Sequence, residues 1–164
     1  MVARRKQPME IGSELHQRKF RNEYHKVTVN LVFTYGWLAG KLKAFFDPYG
    51  LTHQQFNILR ILRGNKGPLS TMKIRDRMID RMSDTTRVVE RLITKGLVVK
   101  NVNRKDKRVV DVSITEKGLA LLAEIDLRQN DLDNIVATIT PQQAKNMNYI
   151  LDKLRGWDDN NPVL

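Results

Sequence analysis

The chain has 164 residues, of which 41% are hydrophobic, so it is long enough for one domain with a core and too polar for a membrane protein. It has no cysteine, which excludes disulfides, thiolate metal sites and thiol redox switches. The formal net charge of +11 predicts a polyanionic partner, either a nucleic acid or an acidic membrane surface. The positive excess lies in the middle of the chain, because residues 52–118 carry sixteen Lys and Arg against seven Asp and Glu.

The N-terminal part predicts a polar arm followed by two helices. Residues 1–20 mix charge and polarity without periodicity and lack the apolar run of a secretory signal, so we expect a cytoplasmic protein. Apolar residues recur at helical spacing over residues 22–46, and Asp47-Pro48-Tyr49-Gly50 ends that helix. Thr52 and Gln55 form a capping box that begins the next helix. The apolar face of this helix consists of Phe56, Leu59 and Leu62.

Two short helices joined by a tight turn are predicted in the middle of the chain. Ser70 caps the first, which runs to Met78 with Ile74 pointing inward. The second covers residues 82–95 and is closed by Gly96. Its predicted buried stripe is Val88, Val89, Leu92 and Ile93. The pair favours a helix-turn-helix, although a generic helical bundle would show the same pattern.

A β-hairpin with a basic tip follows directly. Residues 97–103 and 109–114 are β-branched runs, and the second alternates strictly. Between them stand Arg104, Lys105, Asp106, Lys107 and Arg108. A charge run in a loop is usually only solvated, but its position after two short helices favours a wing that reaches DNA.

The C-terminal part predicts two further helices. Thr115 begins a long helix that carries apolar residues as far as Ile139. Thr140 and Gln143 form a second capping box, with Pro141 at the first helical position of a helix that ends at about Gly156. No linker divides the chain, so we predict one domain over residues 1–164.

Three motifs in this order resemble the MarR family of bacterial transcription regulators. They are SDTTRVVERLITKGLV at residues 83–98, Asp106-Lys107-Arg108, and SITEKG at residues 113–118. The family pattern is a Ser/Thr–Arg recognition helix ending in Lys-Gly-Leu-Val, an Asp-x-Arg wing and a Leu-Thr-x-x-Gly helix start. The resemblance covers residues 28–155 and is strongest over 69–118. The chain departs from the pattern at Asp80 in the turn and at the acidic Asp84.

The resemblance implies a mainly α (α+β) winged helix-turn-helix fold and a homodimer that binds double-stranded DNA. Residues 22–46 and 119–156 would form the dimerisation helices, and residues 52–118 the DNA-binding part. The recognition helices would enter major grooves, while Arg108, held by Asp106, would enter a minor groove. Asp84 would cap its helix or accept a hydrogen bond from a cytosine amino group, and we favour the cap. The candidate DNA-binding residues are Ser83, Asp84, Thr86, Arg87, Arg104, Lys105, Asp106, Lys107 and Arg108.

Other activities find less support in the sequence. His16, His25 and His53 are isolated, and no nucleophile or phosphate-loop motif occurs, so we expect neither an enzyme nor a metal or cofactor. Relatives in the resembled family bind small aromatic or amphipathic molecules. The residues that could line such a pocket here, although a plain core role is favoured for them, are Phe33, Trp37, Phe45, Phe56 and Leu59. The alternative function is a winged-helix module that binds RNA or protein without reading an operator. A peripheral membrane protein is disfavoured because the basic tip lies in a hairpin.

Overall fold

The computed structural model describes residues 10–17, 19–102 and 110–157. These residues fold mainly as α-helices with one small antiparallel sheet, as the sequence predicted. The helices are α1 (Ile11–Glu14), α2 (Glu23–Phe46), α3 (His53–Arg63), α4 (Thr71–Arg77), α5 (Thr85–Thr94), α6 (Glu116–Asp126), α7 (Gln129–Asp133) and α8 (Pro141–Leu154). The strands are β1 (Leu69–Ser70), β2 (Val98–Val102) and β3 (Val110–Ile114).

The chain divides into two compact units, Met1–Ala44 and Phe45–Leu164. In the first unit, Ile11 of α1 is buried, and Lys26 on α2 forms an ion pair with Glu10 at 2.5 Å. The second unit contains the remaining helices and the sheet. No helix in the described ranges is long and apolar enough to span a bilayer.

Local capping residues set most helix starts at the predicted places. The Thr52 hydroxyl accepts a hydrogen bond from the Gln55 N–H while the Gln55 side chain accepts from the Thr52 N–H, which confirms the first capping box. Thr140 and Gln143 form the same reciprocal pair at the start of α8. Helix α2 ends in a short 3₁₀ turn over Asp47–Tyr49, after which Gly50 adopts a left-handed φ of 62°.

The core of the second unit comes from the inward faces of α3 to α6 and from the sheet. The predicted inward residue Ile74 is fully buried, as are Leu59, Val89 and Leu92. Phe56, expected on the buried face of α3, is only half-buried, and Ile58 occupies the core instead. The other fully buried side chains are Phe46, Val98, Val112, Leu122 and Ile125.

The sheet has the strand order β1-β3-β2. Strands β2 and β3 form the predicted hairpin, with pairs running from Val98↔Ile114 to Val102↔Val110. Leu69 pairs with Val112, which adds the short strand β1 that the sequence analysis did not predict. Because β1 directly precedes α4, this pairing connects the base of the hairpin to the start of that helix.

Two predicted helix boundaries are wrong. The second helix of the pair begins at Thr85 rather than at residue 82, because Asp80 and Asp84 use residues 80–84 for a turn and a cap. The long helix after Thr115 is interrupted at residues 127–128 and again after Asp133. Leu127 at the first interruption is 87% exposed, so no buried stripe holds the helix together there. After Asp133 the chain is rich in β-branched residues (Ile135, Val136, Thr138 and Ile139), which are weaker helix formers than Ala or Leu.

Candidate nucleic-acid interface

Helices α4 and α5 form a helix-turn-helix whose inner contacts are closely packed. Ser70 caps α4, as predicted, by accepting a hydrogen bond from the Lys73 N–H at 3.3 Å. Met78 ends α4 in an extended conformation, with ψ at 143°, and is buried. The buried Thr85 hydroxyl donates to the Met78 sulfur at 3.3 Å, so the end of one helix is fixed to the start of the next.

The turn between the helices is organised by Asp80, one of the departures from the family pattern. Its Oδ1 accepts a hydrogen bond from the Met82 N–H at 3.1 Å, and its carbonyl accepts from the Ser83 hydroxyl at 2.9 Å. The Ile79 N–H donates to Asn57 on α3 at 3.1 Å. An aspartate that bonds to the backbone two residues later favours a tight turn, so the polar residue takes over the role of an apolar one.

Asp84, the second departure, is the N-cap of α5. Its Oδ1 accepts a hydrogen bond from the Arg87 N–H at 3.1 Å. The favoured interpretation of Asp84 as a cap is therefore confirmed. The carboxylate also complements the positive end of the helix dipole.

The outer face of α5 presents the predicted polar residues to solvent. Thr86 and Arg87 are exposed, and Ser83 lies half-buried just before the helix. Ser83 and Thr86 meet the start of α4 at a groove of about 340 Å³. Its lining consists of Thr71, Met72, Arg75, Ser83, Asp84, Thr85 and Thr86. The structure thus brings three predicted site residues, Ser83, Asp84 and Thr86, together at one concave surface.

Arg75 lines this groove, and the two helices and the turn that form it carry further cations without acidic partners. Within the part of the chain that the structure describes, six basic side chains on α4, the turn and α5 make no ion pair. They are Lys73, Arg75, Arg77, Arg81, Arg87 and Arg91. Cations without acidic partners that are close together in the chain produce a positive potential that attracts phosphate groups. Arg87 alone of this set was predicted from the sequence as a DNA-binding residue, because the contribution of α4 depends on how the two helices pack.

The base of the hairpin is tied to the helix-turn-helix. The Thr115 hydroxyl donates to the Gly96 carbonyl at 2.8 Å, and Lys117 Nζ donates to the Lys95 carbonyl at 2.9 Å. Lys100 on β2 forms an ion pair with Glu90 on α5. These bonds fix the direction in which β2 and β3 leave the core. The predicted tip residues lie outside the described residues, and they are Arg104, Lys105, Asp106, Lys107 and Arg108.

The structure explains why glycine stands at two positions of the family motifs, Gly96 and Gly118. Gly96, the predicted C-terminal cap of α5, has a left-handed φ of 70°. Gly118, in the first turn of α6, lies so close to the residue that precedes β2 that an added Cβ would lie 2.4 Å from the Leu97 carbonyl oxygen. The Thr-x-x-Gly motif therefore combines a cap with a close approach, since Thr115 also accepts a hydrogen bond from the Gly118 N–H at 3.1 Å.

An ion-pair cluster that the sequence analysis missed connects α3 to α6. Asp126 accepts hydrogen bonds from Arg63 at 2.5 and 3.2 Å and from Arg60 at 3.1 Å. The hydrogen bonds from Arg63, with the charges of both arginines, hold the pKa of Asp126 below its ordinary value. Residues 63 apart in the chain form this contact, so no local pattern could have predicted it.

The five residues considered for a ligand pocket occupy two different environments. Leu59 is fully buried, Phe45 is 9% exposed, and the Phe56 ring packs on Phe46 with 4.6 Å between centroids. Phe45 and Leu59 therefore belong to the core of the second unit, and Phe56 lies half-buried at its edge. Phe33 and Trp37, on the part of α2 in the first unit, are 40% and 44% exposed.

Comparisons with known proteins agree with this architecture. The family model described as transcriptional regulator SarA/Rot matches residues 41–125. The HTH-type transcriptional regulator MhqR of Bacillus subtilis is 24% identical over 130 residues, which are 79% of this chain and 89% of the relative. A mutant MarR from E. coli in complex with operator DNA superposes with a TM-score of 0.73 and 23% identity, covering 83% of this chain and 98% of that one. Bordetella bronchiseptica BpsR, whose DNA binding is regulated by 6-hydroxynicotinic acid, also reaches a TM-score of 0.73, with 23% identity over 85% of this chain and 100% of that one.

Proposed function

Because this chain belongs to the SarA/Rot family and is a DNA-binding transcription regulator of the MarR type, we propose that it binds a pseudo-palindromic operator as a homodimer. The observation that carries the proposal is the groove at the start of α5, which is lined by hydroxyl groups and by Arg75, on two helices that carry further cations without ion pairs among the described residues. Hydroxyl and guanidinium groups are the usual partners of base edges and phosphates. The matched family and relatives are transcription regulators, and we propose no catalytic activity.

In the proposed complex, α5 enters the major groove with its N-terminal end foremost. Arg87 and Thr86 contact base edges or phosphates there, while Arg75 and Lys73 of α4 contact the backbone. The hairpin continues as a wing, and Arg108 enters the adjacent minor groove with Asp106 orienting its guanidinium. Arg104, Lys105 and Lys107 contribute phosphate contacts.

The exposed apolar face of the C-terminal helix α8 is the observation that favours the proposed homodimer. None of the residues of α8 is buried, although the helix is amphipathic. Its exposed apolar side chains include Ile150 at 62%, Leu154 at 61% and Met147 at 44%. These three residues recur at a spacing of three and four, so they share one face of the helix. An apolar face of this kind is stable in water when a second copy covers it.

Two-fold symmetry sets the form of the operator. Two recognition helices related by a dimer axis bind half-sites whose centres lie about 10 base pairs apart. Neutralising phosphates with Lys and Arg releases counterions, so the affinity falls steeply as salt rises.

The test is a fluorescence-anisotropy titration of the full chain against a DNA duplex that the chain itself selects from a random library. We expect tight binding and a steep salt dependence in the titration, and we expect the selected duplex to contain a pseudo-palindrome. Equal affinity for an RNA duplex, or preferential binding to anionic vesicles, would contradict operator reading. Arg75→Ala is expected to weaken binding, whereas Lys145→Ala, which removes an exposed cation on α8, is expected to leave it unchanged.

We also propose that a small aromatic or amphipathic molecule regulates DNA binding. Support comes from BpsR, a protein of similar fold whose DNA binding responds to an aromatic acid. Adding a panel of small aromatic carboxylates is expected to raise the melting temperature and to release the DNA duplex. A panel that changes neither quantity would remove the support for this role.

A further inference from the structure

Large apolar side chains lie exposed on the helix-turn-helix, beside the cations described above. Met72 on α4 is 64% exposed, and Met82 in the turn is 95% exposed. Isolated exposed apolar side chains are common on protein surfaces. Here, however, both lie next to a concave polar surface that the proposed function places against DNA.

The two methionines occupy different positions at this surface. Met72 lines the groove together with Arg75 and with Ser83 and Thr86 from the start of α5. Met82 directly precedes Ser83, and its backbone N–H donates to Asp80, which fixes it within the turn. By contrast, Met78 is buried, with its sulfur bonded to Thr85. Met72 and Met82 therefore do not stabilise the core.

The positive charge of the neighbouring arginines indicates which kind of partner covers the two methionines. Arg75, Arg81 and Arg87 have no acidic partner within the described ranges. A cationic surround of this kind favours a polyanion over an apolar protein surface. The major groove of DNA presents one apolar group among its donors and acceptors, the C5-methyl of thymine.

We propose that Met72 and Met82 contact thymine methyl groups in the major groove and are specificity-determining residues of this protein. The proposal rests on the proposed function, since it needs α5 in the major groove. The unbranched, polarisable methionine side chain adapts to an apolar contact without demanding one geometry. In this arrangement the arginines bind the DNA phosphate backbone, and the methionines distinguish thymine from cytosine, which lacks the methyl group.

The test compares two duplexes that differ only in methyl groups. One is the duplex selected by the full chain from a random library, and the other has deoxyuridine in place of every thymine of the half-sites. Uracil keeps the hydrogen-bonding groups of thymine, so a difference in affinity reports the methyl contact. We expect the wild type to bind the uracil duplex about fourfold more weakly for each methyl it covers, the free energy of burying one methyl group.

The variants assign the effect to the side chains. Met72→Ala and Met82→Ala are expected to weaken binding to the thymine duplex and to leave the uracil duplex nearly unchanged, so that the ratio falls toward one. Met72→Leu is expected to restore the ratio, because it restores an apolar side chain. Ile79→Ala is the matched control, since Ile79 is 75% exposed in the same turn but neither lines the groove, as Met72 does, nor directly precedes a residue that lines it, as Met82 does. Its ratio is expected to equal that of the wild type.

The outcomes separate this inference from the proposed function. Equal wild-type affinity for the two duplexes, or an unchanged ratio in both alanine variants, overturns the methyl contact while DNA binding stands. Failure of the wild type to bind either duplex overturns the proposed function and this inference together. Circular dichroism of each variant verifies that the fold is retained.

Discussion

The helix-turn-helix and the C-terminal helix α8 differ in where they place their apolar side chains. Helices α4 and α5 bury Ile74, Val89 and Leu92 completely against the rest of their unit and expose cations. Helix α8 buries no residue and exposes Ile150 and Leu154. The first region is thus stabilised by contacts within the chain, whereas the second has an apolar face left for another molecule. The difference separates what the chain needs in order to fold from what it needs in order to assemble.

The largest effect is expected where a side chain fills the internal core. Leu92→Ala removes a fully buried side chain from the inner face of α5 and should lower the free energy of unfolding by about 2–5 kcal/mol. Chemical denaturation measures the change. Arg91→Ala, which alters the exposed neighbour, is the control and should change stability by less than about 0.5 kcal/mol. A similar loss in both variants would mean that the two faces of α5 do not differ as the structure shows.

A charge on the apolar face of α8 should break assembly without unfolding the winged helix. Ile150→Glu is expected to raise the dimer dissociation constant at least about a hundredfold, since about 1.4 kcal/mol is lost in each of two symmetric copies. Analytical ultracentrifugation measures the constant. Asn148→Glu adds the same charge at another exposed position of α8, about 200° around the helix from Ile150, and should leave the dimer intact. A monomeric wild type at micromolar concentration would refute the proposed assembly.

Features of the fold that depend on a few neighbouring residues could be predicted from the sequence. The caps at Thr52, Ser70 and Thr140 were predicted because a side chain bonds to the backbone three residues later. Thr115 was predicted as a helix start, and the structure shows that it caps this helix in the same way. Strand β1 was missed because two residues carry no pattern, and only pairing with β3 makes them a strand. The interruption at residues 127–128 was missed because the apolar spacing on either side of it favoured one continuous helix.

The candidate site was predictable to the same extent. Ser83, Thr86 and Arg87 follow from the motif at the start of α5, and the structure exposes Thr86 and Arg87 and places Ser83, half-buried, just before the helix. The contribution of α4 could not be predicted, since Met72 and Arg75 acquire a role only when the two helices form one groove. The ion pairs between Arg63 and Asp126 likewise join distant segments. Local sequence patterns therefore predict the helices and strands, whereas the surface that α4 and α5 form together depends on how they pack.

At the wing, a change should affect binding alone. Arg108→Ala is expected to weaken DNA binding by about 1–3 kcal/mol and to relax the preference for A·T pairs at the outer positions of the operator. Lys105→Ala should weaken binding to all sequences similarly, because a phosphate contact carries no base information. Competition titrations against duplexes with altered outer positions separate the two results. If Arg108→Ala changed neither affinity nor preference, the wing would not read DNA.

The smallest effect is expected at Asp84, where one side chain is available for both folding and recognition. As the N-cap of α5 it accepts a hydrogen bond from the Arg87 N–H, so Asp84→Ala should cost about 0.5–2 kcal/mol of stability. Asn caps a helix about as well as Asp, so Asp84→Asn should nearly preserve the free energy of unfolding. The same substitution also removes a negative charge from the cationic groove, and phosphate binding should therefore strengthen equally for every duplex tested. Were Asp84 instead to accept a hydrogen bond from a cytosine amino group, Asp84→Asn would change the base preference at one position of each half-site. Denaturation of both variants together with binding to single-base operator variants distinguishes the cap, which acts within the chain, from a base contact, which acts on the partner.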